Sequence, residues 1–152
     1  MTHRAQRGFS LIELLIVITV IAILAVAGIT NGHKHIMAAH EQAAIAEIQT
    51  LHKAEAQYYV QFGRYARTLR ELGPPESGED GAGAANLIPK MLAEGQKSGY
   101  VFTLAGTTEG YTVSAVPESY KGSGSRTFFS DQSMTIHQNH SAEPANAQSP
   151  EL

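Results

Sequence analysis

Between Phe9 and Ile29 the chain has 21 residues, and only Ser10, Glu13, Thr19 and Gly28 are not plainly apolar. Wound as an α-helix at about 1.5 Å per residue, this run is about 31 Å long, the thickness of a bilayer's hydrocarbon core. Arg4 and Arg7 precede it, with no acidic residue among the first eight. Basic flanks stay cytoplasmic, so the run predicts a single membrane crossing over residues 9–29, with the N-terminus inside and the remainder outside. One residue breaks the pattern. Glu13 sits in the first turns, where an ionised carboxylate in lipid is costly and needs a partner.

The residues around that carboxylate carry a resemblance. A short basic leader ends in Gly8, Phe9 follows, and an apolar helix begins with a glutamate five residues in: Gly-Phe-Ser-Leu-Ile-Glu-Leu-Leu-Ile-Val. This resembles the type IV pilin and pseudopilin family, whose precursors carry an N-terminal cleavage and methylation motif. The resemblance implies that a prepilin peptidase cuts between Gly8 and Phe9 and methylates the new amine of Phe9. It implies that Glu13 pairs with the terminal amine of a neighbouring subunit. Residues 1–8 are then a leader peptide and residues 9–29 a transmembrane and polymerisation helix. The match covers about residues 4–29 directly. Many members have a proline where this chain has Thr30, and Gly28 and Gly32 offer weaker flexibility there.

Two other readings compete. A secretory signal peptide cut after Ala25-Val26-Ala27 has acceptable small residues at the cut, but Glu13 and the length of the run fit such a core poorly. A plain membrane anchor lets Glu13 snorkel to the interface, yet leaves the glycine directly before the run unexplained.

Without the leader, 144 of 152 residues remain, enough for one small outer domain. The formal charge is −3; losing the two leader arginines takes 11 basic residues to 9 against 14 acidic, a net −5. That argues against a general nucleic-acid surface, and no nucleic-acid partner is expected. There is no cysteine. Many pilins close a C-terminal loop with a disulfide, so the outer domain here must be held by packing against the long helix or by neighbouring subunits.

Residues 36–62 contain no Gly or Pro, and Ile45, Ile48, Leu51, Tyr58 and Phe62 fall on one stripe at helical spacing. Glu41, Glu47, Gln49, Lys53 and Gln57 are assigned to the wetter sides. Gly63 is a natural stop. One helix therefore runs from near Phe9 to near Phe62, a rod of roughly 80 Å. Thr68 and Glu71 are spaced as a capping box before a short helix ending at Gly73. Residues 73–85 read as a surface loop. Asn86 to Glu94 read as a short helix broken or started near Pro89, with Leu87, Ile88, Met91 and Leu92 inward. Period-two alternation then predicts strands at 100–104 and 111–116 and a hairpin of 126–129 with 133–136 around Asp131-Gln132. The fold class is α+β: a long N-terminal helix, half transmembrane and half amphipathic, packed on a small antiparallel sheet of three or four strands, with a pilin-like globular domain over 30–137. From 138 to 152 the composition predicts a disordered tail.

No catalytic constellation, phosphate loop or metal motif is visible, and no enzyme activity or cofactor is expected. Among the seven histidines no pair is spaced i, i+4; His33, His35, His40 and His52 read as exposed helix residues. Asp131 with Ser130, Gln132 and Ser133 reads as a turn, with an oxygen-lined calcium site as the alternative by analogy with major pseudopilins. The resemblance implies a structural subunit, made as a single-pass inner-membrane precursor and assembled into a periplasmic or cell-surface filament. Its implied partners are further copies or minor pilins, the prepilin peptidase and an inner-membrane assembly platform. A type IV pilus-like filament and a type II secretion pseudopilus both fit, and a monomeric anchored binding protein is the reading from another class.

Overall fold

The computed structural model describes Ser10 to Leu152, save the side chains of residues 26–31. The first nine residues, with Gly8 and Phe9, lie outside that description. Helix α1 spans Leu11–Phe62 without interruption. The chain divides into two compact units between His35 and Ile36. The expected boundary lay at 29/30, where the side chains are not described.

In the first unit the helix carries apolar residues on every side. From Leu11 to Leu24 its large apolar side chains are 46% to 81% exposed. Nothing in the described part of this unit packs on them. Among the described residues no helix is long and apolar enough to cross a membrane. Phe9 and the side chains of 26–29, which complete the expected span, lie outside the description.

The second unit is built on the outer part of α1. Ala44, Ile45, Ile48, Leu51, Ala54 and Tyr58 are buried in one stripe, and Phe62 packs beside them. The spacing of three and four residues puts them on one face, as the sequence implied. The helix stops at Gly63, whose φ of 70° is the left-handed conformation that a glycine adopts without strain. The Gly63 N–H donates to the Tyr59 carbonyl at 2.8 Å. Two short helices follow, α2 (Leu69–Leu72) and α3 (Lys90–Ala93). The capping box expected at α2 has the right position and a different mechanism. Thr68 is the N-cap residue but makes no side-chain cap bond. The Glu71 carboxylate instead accepts from Arg67 N–H at 3.0 Å and Arg64 Nη1 at 2.8 Å. α3 starts directly after Pro89. Ile88 and Leu92 are buried, but Met91, expected to face inward, is 61% exposed.

Five strands form one antiparallel meander: β1 (Gln96–Lys97), β2 (Tyr100–Gly106), β3 (Tyr111–Pro117), β4 (Thr127–Asp131) and β5 (Ile136–Asn139), hydrogen-bonded in chain order. Alternation in β2 buries Tyr100, Phe102 and Leu104, and in β3 Tyr111, Val113 and Ala115, all on the face that shares its core with α1. The architecture is thus α+β, a helix on an antiparallel sheet. The sheet has one strand more than expected, because the two-residue β1 is too short to leave a pattern. Gly106, at the end of β2, is where the sheet touches the link after α1: a Cβ there would collide with the Ala66 carbonyl, and the Gly106 N–H donates to Arg67 O at 3.3 Å.

Two expectations are corrected at the end of the chain. The second strand of the last hairpin was placed at 133–136 and lies at 136–139. β4 runs on to Asp131, Asp131 Oδ1 accepts from Ser133 N–H at 2.8 Å, and Met134 N–H donates to Asp131 O at 2.9 Å, so the turn occupies residues 132–135 and the second strand starts three residues later than the apolar pattern implied. The tail predicted as disordered from 138 returns to the sheet edge. Gln138 N–H donates to Pro150 O at 2.8 Å, and Leu152 N–H to Ile136 O at 2.9 Å. Ala145 is buried, and Thr127 Oγ1 donates to Glu143 O at 2.9 Å. Composition missed this because backbone groups of a polar segment can satisfy an edge strand as well as apolar ones can.

Candidate assembly site

The apolar start of α1 carries a single described carboxylate. Glu13 is exposed and sits three residues after Ser10, the residue before the helix. Its Oε2 accepts from the Ser10 N–H at 3.2 Å, and the Leu14 N–H donates to Ser10 O at 3.2 Å. This is the glutamate half of a capping box, and Ser10-x-x-Glu13 is its sequence signature, a signal that the reading of the apolar run passed over. A carboxylate there also answers the positive end of the helix dipole. Thr19, the other polar residue of the run, folds its hydroxyl back onto Leu15 O at 2.7 Å and so presents little polarity. What remains is an apolar surface all round the helix with one charged group near its start. Of the three expected site residues, Glu13 alone lies among the described residues.

The outer unit holds four polar groups that matter to its architecture. Glu41, assigned from the sequence to the wet side, is 6% exposed. Its carboxylate accepts from Ser125 N–H, Ser125 Oγ and Arg126 Nε, each at 2.8 Å. Burial works against its ionisation, and these bonds outweigh burial, so its pKa is held below the usual carboxylate value. His52, expected to be exposed, is 5% exposed. Its Nδ1 lies 2.6 Å from the Tyr111 hydroxyl and its Nε2 2.9 Å from Ser130 Oγ. Ser130 Oγ donates onward to Thr135 O at 2.7 Å, so Ser130 can only accept from His52. That places a proton on Nε2, and in the neutral ring Tyr111 then donates to Nδ1. Burial lowers its pKa, with Asp131 acting in the opposite sense. The serine–histidine pair lies in the core, with the Ser130 hydroxyl proton turned to Thr135 O, and it ties α1 to β3 and β4. Glu71 gathers Arg64, Arg67 and Tyr58 at the foot of α2. Glu55 is fully buried and went unnoticed in the sequence.

His33 and His35 are exposed, as read from the sequence, while His40 is half-buried with Nδ1 3.0 Å from Ser123 O. Among the described residues no group of three or more His, Cys, Asp or Glu side chains is placed to hold a metal ion. Asp131 is occupied by its own turn.

The description "Prokaryotic N-terminal methylation motif" matches residues 3–29. The chain is 36% identical over 74 residues to the type IV major pilin protein PilA of Myxococcus xanthus (strain DK1622), a stretch that covers 48% of this chain and 34% of that protein. It therefore spans about one third of the length of this curated relative. No solved structure matches the chain. The methylation motif at the N-terminus and the partial similarity to a protein named a type IV major pilin accompany a long N-terminal helix and an antiparallel sheet in this chain.

Proposed function

We propose that the chain is a structural subunit of a type IV pilus-like filament. It is inserted in the inner membrane with its N-terminus in the cytoplasm, and residues 9–29 cross the bilayer. The prepilin peptidase cuts after Gly8 and methylates the amine of Phe9. An inner-membrane assembly platform then adds the subunit to a periplasmic or cell-surface filament of further copies. The observation that carries this reading is the exposed apolar surface from Leu11 to Leu24 with Glu13 at its start. Such a surface requires a cover, first lipid and then the same helix of other copies. The similarity to a protein named a major pilin favours a pilus over a secretion pseudopilus.

Glu13 supplies the specificity. Cleavage after Gly8 creates a positive amine four residues before Glu13. Inside a bundle of apolar helices, an amine and a carboxylate from two copies are matched only at one axial offset. Any other offset leaves two unpaired charges in a low-dielectric surrounding. The cap bond from Ser10 occupies one oxygen of Glu13 and holds the carboxylate near the helix start, where an incoming amine can reach it.

The test is to express Glu13→Val as the only copy. The protein is expected in the membrane, trimmed to N-methylated Phe9 by intact mass, with sheared surface filaments lost. Glu13→Asp keeps the charge and shortens the reach, and is expected to retain part of the assembly. Normal filaments from Glu13→Val would leave Glu13 a helix cap and anchor residue, and the polymer reading would lose its chemical support.

A further inference from the structure

Glu55 lies on the outer part of α1, and its side chain is fully buried. Its Oε2 accepts from the Ala66 N–H at 2.9 Å. Its Oε1 is buried without a hydrogen-bond partner. Ala66 belongs to the link between α1 and α2, and its carbonyl is pressed against Gly106 at the end of β2. The link is thus clamped between helix and sheet, and Glu55 is the helix side of the clamp. The charged and titratable groups that face this carboxyl are Glu71 of α2, Arg64 of the link, Tyr111 of β3 and Tyr58 of α1 itself. Arg64, the cation among them, is already taken: its Nη1 lies 2.8 Å from Glu71 Oε2 and 3.0 Å from Tyr65 O. A buried oxygen without a partner costs less when the carboxyl is neutral than when it is charged.

We propose that Glu55 is a proton-controlled latch: neutral, it holds the link 63–67 against α1 and the sheet; ionised, it draws water to Oε1 and loosens that link. The link carries Tyr65, whose ring stacks on Tyr59 with centroids 4.8 Å apart, so release opens the aromatic edge of the outer unit. The latch works whether or not the chain assembles into filaments. Burial, opposed by the Ala66 bond, aided by the Glu71 charge and opposed by Arg64, moves the Glu55 pKa from 4.5 to about 7. A carboxyl with a raised folded-state pKa keeps its proton longer in the folded chain than in the unfolded one. Its stabilising contribution is complete below pH 4.5 and is lost as pH rises through about 7. His52, lowered by burial, acts in the opposite sense and weakens the fold as pH falls below 6.5. Glu55→Gln leaves His52 in place, so the difference between the two chains isolates Glu55.

The experiment uses the full chain in detergent micelles. The side-chain carboxyl of Glu55 is titrated by carbon NMR, and amide-exchange protection of Ala66, corrected for intrinsic exchange, is followed from about pH 5.5 to 8 in wild type and Glu55→Gln. The latch predicts a carboxyl midpoint near 7. It also predicts a loss of Ala66 protection of roughly tenfold or more in wild type, the scale of one pKa unit, with a smaller loss in Glu55→Gln. A midpoint below about 5, in the ordinary carboxylate range, overturns the proposal, and so do parallel protection profiles in the two chains. If Glu55→Gln fails to fold, the wild-type midpoint and the wild-type loss of protection still decide it.

Discussion

The two parts of α1 share a backbone conformation and differ in everything their side chains meet. From Leu11 to Leu24 every large apolar residue is exposed. From Ala44 to Phe62 the buried apolar residues form one stripe, which shares its core with the sheet of the same chain. Continuous helix therefore does not mean a common solvent. The first part has an apolar surface that nothing in the described part of its unit buries, and the second has a surface that its own unit does bury. Helical hydrogen bonding is satisfied equally in both; the side-chain pattern decides whether the partner is intramolecular.

The largest effect comes from separating the sheet from its cover. A chain shortened to begin at Gly32 is expected to melt cooperatively, with mixed helix and strand signals. One shortened to begin at Gly63 is expected to show no cooperative transition, because Phe102, Leu104, Val113 and Phe128 would lose their helix. A cooperative melt of the shorter chain would break the comparison, since the sheet would then not depend on α1. Next is Glu41→Ala, which leaves Arg126 half-buried without its carboxylate. The expected cost to the outer unit is about 4 kcal/mol, read by denaturant unfolding. A smaller effect sharpens the contrast between the two parts of one helix. Leu51→Ala is expected to cost about 3 kcal/mol in the same measurement, by transfer and cavity terms. The chemically identical Leu15→Ala is expected to leave it within about 0.5 kcal/mol, because Leu15 is 53% exposed and lies outside the outer unit's core.

The apolar stripe and the paired alternation of β2 and β3 could be read from sequence because their periods are local. Ile45, Ile48, Leu51 and Tyr58 repeat within a few turns, and Tyr100 to Leu104 within one strand. The polar core could not be read the same way. Glu41 is buried by Ser125 and Arg126, 84 and 85 residues away in the chain. His52 is buried by Tyr111 and Ser130, at separations of 59 and 78. A signal was nevertheless present. Glu41, Ile48, Glu55 and Phe62 recur every seven residues on the stripe, so two of the four positions on the core face are carboxylates. Polar residues at core positions call for partners, and assigning Glu41 to the wetter sides while passing over Glu55 discarded that demand. At the start of the helix the reverse occurred. Glu13 stood out at once as a charge in an apolar run, while its local bond to Ser10 required attention to a four-residue spacing.

The absence of cysteine from this chain makes single-cysteine cross-linking the most direct measurement of the contrast between the two parts of α1. Leu15→Cys and Ile16→Cys, each expressed with a second apolar-face cysteine such as Ile23→Cys in a co-expressed copy, are placed in the exposed part; Ile48→Cys is placed in the covered part. In assembled material the account predicts covalent dimers between copies from the first set, dependent on Glu13. It predicts none from Ile48→Cys, whose side chain faces the sheet of its own chain. Dimers from Ile48→Cys, or none from any position between Leu11 and Leu24 in filaments that nevertheless form, would contradict it.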